Sequence, residues 1–162
     1  MCGIAGIIDW KESLPEPSIL ENMQSTLDRR GPDQKGMYLD GPAALIHTRL
    51  SVIDPENGRQ PMVIMQGEEL YVIVYNGELY NTPELRSELE GMGHKFCGHS
   101  DTEVLLHAYL QWKDGCVDRL NGIFSFAVWD KNARRLFVAR DRIGVKPFFT
   151  QLKMALFCSL PR

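Results

Sequence analysis

Four places in this sequence carry residue types that can do chemistry together. The first is Cys2, preceded only by Met1. An initiator methionine is generally trimmed when a small residue follows it. The mature chain then begins with a cysteine whose thiol and free α-amino group belong to one residue. An α-amino group titrates at about 7.7–8.0, so at neutral pH it can take a proton and give it back, as a general base must. A thiol is easier to activate than a hydroxyl, and a nucleophile served by an N-terminal amine is a workable arrangement. Gly3 leaves room for a substrate to approach the backbone closely. The plainer reading of Cys2 is a small apolar filler in the first strand.

The second place is Asn76-Gly77-Glu78, which follows an apolar run ending at Tyr75. Asn-Gly is either a turn or a pair of donors. In the second case the Asn76 amide and the Gly77 backbone N–H aim at one spot, where a developing oxyanion can sit and a Cβ would intrude. The third is Arg49, at the end of a strand-like segment, with a fork suited to a carboxylate; the alternative is a solvated strand end. The fourth is Ser100-Asp101, ahead of a helical stretch. Ser100 alone satisfies the helix start, which leaves Asp101 for another partner.

These residues need elements to hold them. Ile4–Ile8 reads as a buried strand, and Ala43–His47 and Leu70–Tyr75 read as two more. Ser18–Arg29 reads as a helix with Ile19, Leu20, Met23 and Leu27 on one face, stopped by Arg30-Gly31-Pro32-Asp33. Thr82-Pro83-Glu84 opens a second helix with Leu85 and Leu89 inside, ended by Gly91 to Gly93. Ser100-Asp101-Thr102-Glu103 is a capping-box pattern for a third helix carrying Val104, Leu105, Ala108, Tyr109 and Trp112. Ile123–Trp129 and Arg135–Arg140 read as a hairpin with alternating faces, joined by Asp130-Lys131-Asn132-Ala133. Asp54–Gly58 reads as a loop. Strands in runs with helices between them point to antiparallel sheets covered by helices.

Composition sets the outer bounds. At 162 residues and 44% hydrophobic content, the chain is one domain with a core of its own. The net charge of −3 gives no general attraction to nucleic acid or to an anionic membrane. No apolar run is long enough to span a bilayer, and the N-terminus lacks the pattern of a secretory signal, so the expected location is cytoplasmic. Cys2, Cys97, Cys116 and Cys158 form no CxxC pair, and with four scattered histidines they make a poor metal site. Cys97, Cys116 and Cys158 read as reduced, small buried residues.

Taken in order, the segments Met1-Cys2-Gly3-Ile4-Ala5-Gly6, Arg30-Gly31-Pro32-Asp33, His47-Thr48-Arg49-Leu50-Ser51-Val52-Ile53-Asp54, Tyr75-Asn76-Gly77-Glu78, Ser100-Asp101-Thr102-Glu103 and Arg140-Asp141-Arg142-Ile143-Gly144-Val145-Lys146-Pro147 resemble the class II glutamine amidotransferase domain. That domain is an N-terminal-nucleophile hydrolase, and the match is to its asparagine synthetase branch. The sugar-phosphate and phosphoribosyl branches carry His where this chain has Tyr75. The resemblance runs from residue 2 to about 159. It implies an α+β fold, a four-layer αββα sandwich of antiparallel sheets. It also implies that Cys2 attacks the side-chain amide of glutamine while its amine relays the proton. Asn76 and Gly77 then stabilise the oxyanion, Arg49 holds the substrate carboxylate, and Glu78 and Asp101 hold its ammonium. Glutamine hydrolysis needs no cofactor.

Members of that branch continue into a synthetase domain that uses ATP and Mg to amidate aspartate. The pyrophosphate loop of that domain is not found in these residues, so the chain reads as C-terminally truncated, with a separate synthetase domain or subunit as partner. Phe148, Phe149, Leu156 and Phe157 belong either to a last strand or to an exposed surface. If exposed, they predict association, for instance into a homo-oligomer. The competing reading of the whole chain is a catalytically silent fragment or binding module that keeps the fold. Retained Met1 would produce such silence, because the amine would be locked in a peptide bond.

Overall fold

The computed structural model describes the backbone of residues 2–10, 15–50, 58–152 and 155–158, and side chains as far as residue 151. In chain order the elements are β1 (Gly3–Ile8), α1 (Pro17–Leu27), β2 (Gln34–Asp40), β3 (Ala43–Arg49), β4 (Met62–Gln66), β5 (Glu69–Leu79), α2 (Thr82–Gly91), α3 (Asp101–Trp112), a 3-10 turn at Lys113–Asp118, β6 (Gly122–Asp130), β7 (Arg135–Arg140), β8 (Phe149–Leu152) and β9 (Ala155–Cys158). They form two sheets, ordered β2-β3-β1-β9-β8 and β4-β5-β6-β7. Every strand pair is antiparallel.

The layers follow from side-chain alternation. Ile4 and Ile8 of β1, Ala43 and Leu45 of β3, Val72 and Val74 of β5, and Ala127 and Trp129 of β6 pack into one cluster between the sheets. The opposite residues of β1 and β3, namely Ala5, Ile7, Ala44 and Ile46, meet Leu20 and Leu27 of α1. The opposite residues of β5 and β6, including Tyr71, Ile73, Tyr75, Phe124 and Phe126, meet α2 and α3. The molecule is therefore helix, sheet, sheet, helices, the expected αββα sandwich.

β1 is buried at every position because β3 and β9 flank it and apolar layers cover both faces. For the same reason β6 is buried on both faces over most of its length, not on alternate residues; in the edge strand β7 Leu136 and Phe137 are both half-buried, and exposure alternates only from Phe137 to Arg140. Gly31 permits one close approach. A Cβ there would lie 2.3–2.4 Å from the Thr48–Arg49 backbone, so the Arg30-Gly31-Pro32-Asp33 turn can lie directly against the end of β3.

Several expectations are corrected. α1 ends at Leu27, and Ile19 is exposed while Leu20 and Leu27 are buried, so its inner stripe is narrower. Ser100 caps α3 by accepting from the Glu103 N–H (3.3 Å). The Glu103 carboxylate, however, takes the backbone N–H groups of Cys97 (2.7 Å) and Gly98 (2.9 Å), so it fixes the preceding turn. Cys97 is exposed. Cys116 is buried as expected, and burial pushes its thiol up to about 12. Cys97, Cys116 and Cys2 are free thiols; the Cys158 side chain lies outside the described residues. Phe149 lies in β8, and Leu156 and Phe157 lie in β9, which pairs with β1. Phe148 packs on the intersheet core and Phe149 is exposed. Most of the Asp54–Gly58 loop lies outside the described residues; Gly58 is in irregular backbone.

Candidate active site

Alternation gathers the candidate residues as it gathers the core. The intersheet face of β1 carries Ile4 and Ile8, so a residue two positions before Ile4, namely Cys2, faces the same gap. The intersheet face of β3 carries Ala43 and Leu45, and Arg49 follows in phase. That of β5 carries Val72 and Val74, and Asn76 and Glu78 follow. The Gly3–Thr48 pairing also sets Cys2 across from Arg49. One cleft results, of about 300 Å³, lined among others by Cys2, Arg49, Asn76, Gly77, Glu78 and Asp101. All six sequence-derived candidates therefore converge. The volume is at the small end of ligand pockets.

Each wall is tied down. The Arg30 side chain donates its Nε–H to the Cys2 carbonyl (3.1 Å), and the Cys2 Sγ lies 3.8 Å from the Leu50 carbonyl. Arg49 is buried and donates to Gln34 Oε1 (2.9 Å). Tyr75, just before the Asn-Gly pair, is held at three points. Its N–H donates to Gln60 Oε1 (2.6 Å), its carbonyl accepts from His47 Nε2 (3.1 Å), and its hydroxyl donates to Asp101 Oδ2 (2.8 Å). Gln60 in turn donates to Thr102 Oγ1 (3.1 Å), which links the β5 wall to the start of α3. The Tyr75 hydroxyl gives a reason for a tyrosine at this position: it reaches across to orient the Asp101 carboxylate.

Asn76-Gly77 is not a turn, because β5 runs straight through it to Leu79. The register directs its donors. The Phe124 carbonyl accepts from the Asp141 N–H (2.8 Å), and the Phe124 N–H donates to the Asp141 carboxylate (3.2 Å). Phe124 thus turns both backbone groups towards β7. In an antiparallel ladder a residue's N–H and C=O leave on one side. Gly77, opposite Phe124, therefore sends its N–H the other way, off β6. β4 starts at Met62, opposite Ile73, so it stops short of this point and the Gly77 N–H is directed at the cleft. The Asn76 side chain, buried on the intersheet face, lines the same space. A Cβ on Gly77 would stand 2.4 Å from the Ile123 carbonyl oxygen.

The charges are mixed. Burial pushes the Asp101 carboxyl above its ordinary range, against the hydrogen bonds from Tyr75 and Leu79. A cation bound beside it would relieve that cost. Burial, and next the Asp101 charge, push the Tyr75 hydroxyl well up, so it remains a donor at any working pH. Burial lowers His47 to about 4, so it is neutral. Because a carbonyl only accepts, its Nε2 carries the proton given to Tyr75.

Sequence reasoning missed Lys146 as a site residue. It lines the cleft and is 6% exposed. Burial, then the Arg30 guanidinium, pull its ammonium down, while Cys2, Asp141 and Glu78 push it up. A lone lysine in a loop gives no local signal of burial. Among the described residues, no group of three or more His, Cys, Asp or Glu can hold a metal ion. No helix among them is long and apolar enough to cross a membrane.

The cleft gathers a thiol, a side-chain amide and a backbone N–H, a guanidinium and two carboxylates, a set that fits a zwitterionic amino acid with a reactive amide. Two solved structures share the fold at 21% identity. One is glutamine phosphoribosylpyrophosphate amidotransferase from B. subtilis (TM-score 0.63, 96% of this chain and 35% of that one). The other is described as the allosteric regulatory enzyme of purine biosynthesis (TM-score 0.64, 97% and 35%). Among curated relatives, asparagine synthetase [glutamine-hydrolyzing] 3 of Bacillus subtilis is 53% identical over 150 residues, which are 92% of this chain and 24% of the relative. Asparagine synthetase [glutamine-hydrolyzing] 1 of the same organism is 40% identical over 152 residues, again 92% and 24%. The chain thus spans about a quarter of the length of the curated relatives it matches. The family model described as a glutamine amidotransferase domain matches residues 1–160, and the chain belongs to that family.

Proposed function

We propose that this domain, once Met1 is removed, hydrolyses the side-chain amide of glutamine with Cys2 as nucleophile. The convergence of Cys2, Arg49, Asn76, Gly77, Glu78 and Asp101 on one cleft carries the reading. Arg49 takes the substrate α-carboxylate, and Glu78 and Asp101 take its α-ammonium, which leaves the amide carbon before the thiol. The Cys2 amine removes the thiol proton and the sulfur attacks the carbonyl carbon. The new oxyanion is met by the Asn76 amide and the Gly77 N–H. Collapse breaks the C–N bond, and ammonia leaves with the proton held by the amine. Water, deprotonated by the same amine, then attacks the thioester, freeing glutamate and restoring the thiol. No step requires a metal or cofactor.

The ammonia is destined for a synthetase domain, as the name asparagine synthetase of the relatives suggests; the use of aspartate, ATP and Mg there follows from the family resemblance, and the cytoplasm is the expected setting. Intact-mass spectrometry after incubation with a diazoketone analogue of glutamine tests the hydrolytic half. A single adduct on a chain lacking Met1, absent from Cys2→Ala, is the expected result. Equal labelling of Cys2→Ala, or none of the wild type, refutes it. Conversion of aspartate to asparagine when a synthetase domain is supplied tests the other half.

A further inference from the structure

We propose that Gln60 is a positioning residue for glutamine hydrolysis: its one carboxamide sets the strand that carries the Gly77 N–H against the helix start that carries Asp101. This role rests on the reading of Cys2 as the nucleophile of the cleft. In the β4–β5 ladder Met62 stands opposite Ile73, and the same register carried back two residues puts Gln60 opposite Tyr75. Tyr75 is in phase with Gly77, since it faces Phe126 as Gly77 faces Phe124. Its N–H and carbonyl therefore leave β5 on the same side as the Gly77 N–H. The β4 backbone does not reach that point, and the Gln60 side chain takes its place: Oε1 accepts the Tyr75 N–H (2.6 Å). The Gln60 backbone lies against Gly36 of β2 in the other sheet, where a Cβ would collide with the Gln60 carbonyl. The base of the side chain is thus fixed by its neighbour.

The other end of the amide reaches α3. Nε2 donates to Oγ1 of Thr102 (3.1 Å), a buried residue in the first turn, next to Asp101. The direction follows from Tyr75: a backbone N–H only donates, so the atom facing it is the amide oxygen, and the nitrogen faces Thr102. Asp101 returns to the same strand, where its Oδ2 accepts from the Tyr75 hydroxyl (2.8 Å) and the Leu79 N–H (3.4 Å). Gln60, Tyr75, Asp101 and Thr102 thereby close a ring along the cleft wall. The ring holds β5 two residues before the oxyanion donor and α3 beside the ammonium clamp, and Gln60 is the joint between them. Each end of its amide is turned into the wall, so it acts through Tyr75 and Thr102.

Steady-state glutaminase kinetics of Gln60→Met, Thr102→Val, Thr102→Ser and the Gln60→Met/Thr102→Val double variant test this, with urea midpoints as a fold control. Gln60→Met keeps the length of the side chain and drops both hydrogen bonds. Its kcat is expected to fall about tenfold, because a misplacement of about 1 Å near a reacting group costs up to about 10²-fold. Its KM should rise several-fold, about the worth of one hydrogen bond. Thr102→Val frees the helix start alone, so its KM should rise as far while its kcat falls less. Thr102→Ser keeps the hydroxyl and should recover most of the wild-type KM. Because the two residues share one bond, the double variant should raise KM no further than Gln60→Met does. A merely structural role would lower the urea midpoint without this split between kcat and KM. Kinetics of Gln60→Met within about twofold of wild type, KM effects that multiply in the double variant, or equal KM in Thr102→Val and Thr102→Ser overturn the inference. If Gln60→Met unfolds, the Val and Ser variants of Thr102 give the same discrimination through KM. Wild-type-like hydrolysis by Cys2→Ala would sink the underlying nucleophile reading, an outcome separable from unmoved kinetics in Gln60→Met.

Discussion

Gly77→Ala puts the geometry of the proposed oxyanion site at risk with one methyl group. The new Cβ would lie 2.4 Å from the Ile123 carbonyl oxygen and 2.8 Å from both the Phe124 Cα and the Tyr75 ring. Two of these three neighbours are backbone in the central β5–β6 ladder, and Tyr75 is held by Gln60, His47 and Asp101, so neither side yields cheaply. Bringing the shortest contact to 3.0 Å, below which Cβ contacts are essentially never seen, requires β5 and β6 to part by at least 0.6 Å. An oxyanion donor works over a window of roughly 2.7–3.1 Å, so a displacement of this size takes the Gly77 N–H out of it. The expected loss is about 10²- to 10³-fold in kcat. KM should change less than kcat, since the Arg49, Glu78 and Asp101 side chains are all retained. Overpacking should cost about 1–3 kcal/mol of stability. Steady-state glutaminase kinetics with a urea titration measure both. A variant that keeps kcat within threefold, or that changes KM alone, would refute the assignment of Gly77 as an oxyanion donor.

Three further outcomes are expected. Tyr75→Phe removes the hydroxyl that orients Asp101, so KM for glutamine should rise several-fold with a stability loss of about 1 kcal/mol; an unchanged KM would detach Tyr75 from substrate binding. His47 binds its proton more weakly folded (about 4) than in an unfolded chain (about 6.5), so its contribution is present above pH 6.5 and lost as pH falls towards 4. It amounts to about 3 kcal/mol, and urea midpoints flat between pH 7 and 4 would contradict it. Leu89, fully buried on the inner face of α2, should cost about 2–5 kcal/mol when cut to alanine, read by chemical denaturation; a loss under 1 kcal/mol would mean that α2 packs loosely.

Strong local patterns were legible. The apolar runs of β1, β3, β5 and β6, the Pro83 start of α2 and the Ser100 cap of α3 all stand in the sequence, and so do the six residues that line the cleft, because each follows or precedes such an element. What escaped was what neighbours impose. β2 contains Lys35, Gly36 and Asp40, poor strand formers; it is a strand because β3 offers it an open edge from Ala43 to Arg49. β4 shows weak alternation in Met62–Gln66, with Val63 and Met65 facing out, a signal short enough to pass unread. The extension of β5 through Asn76-Gly77 contradicts the turn preference of that dipeptide, and the β6 ladder prevails. Lys146 is placed by a carboxylate five residues away, a relation visible only once Asp141 is seen to be buried.

The strand that Cys2 leads into lies in the middle of its sheet, with β3 on one side and β9 on the other. Ala5 meets Cys158 and Gly6 meets Phe157, so the first strand made during translation acquires one of its two neighbours only after some 150 further residues have been joined. Such a long-range pairing is slow to form, since the intervening chain must be closed into a loop before the contact repays it. Until then β1 is an apolar strand with a bare edge, open to pairing with another chain. A nascent chain therefore exposes Cys2 long before the strand that follows it has both neighbours, and mutations that weaken β8 or β9 should show first as misassembly, ahead of any change in the chemistry of the folded protein.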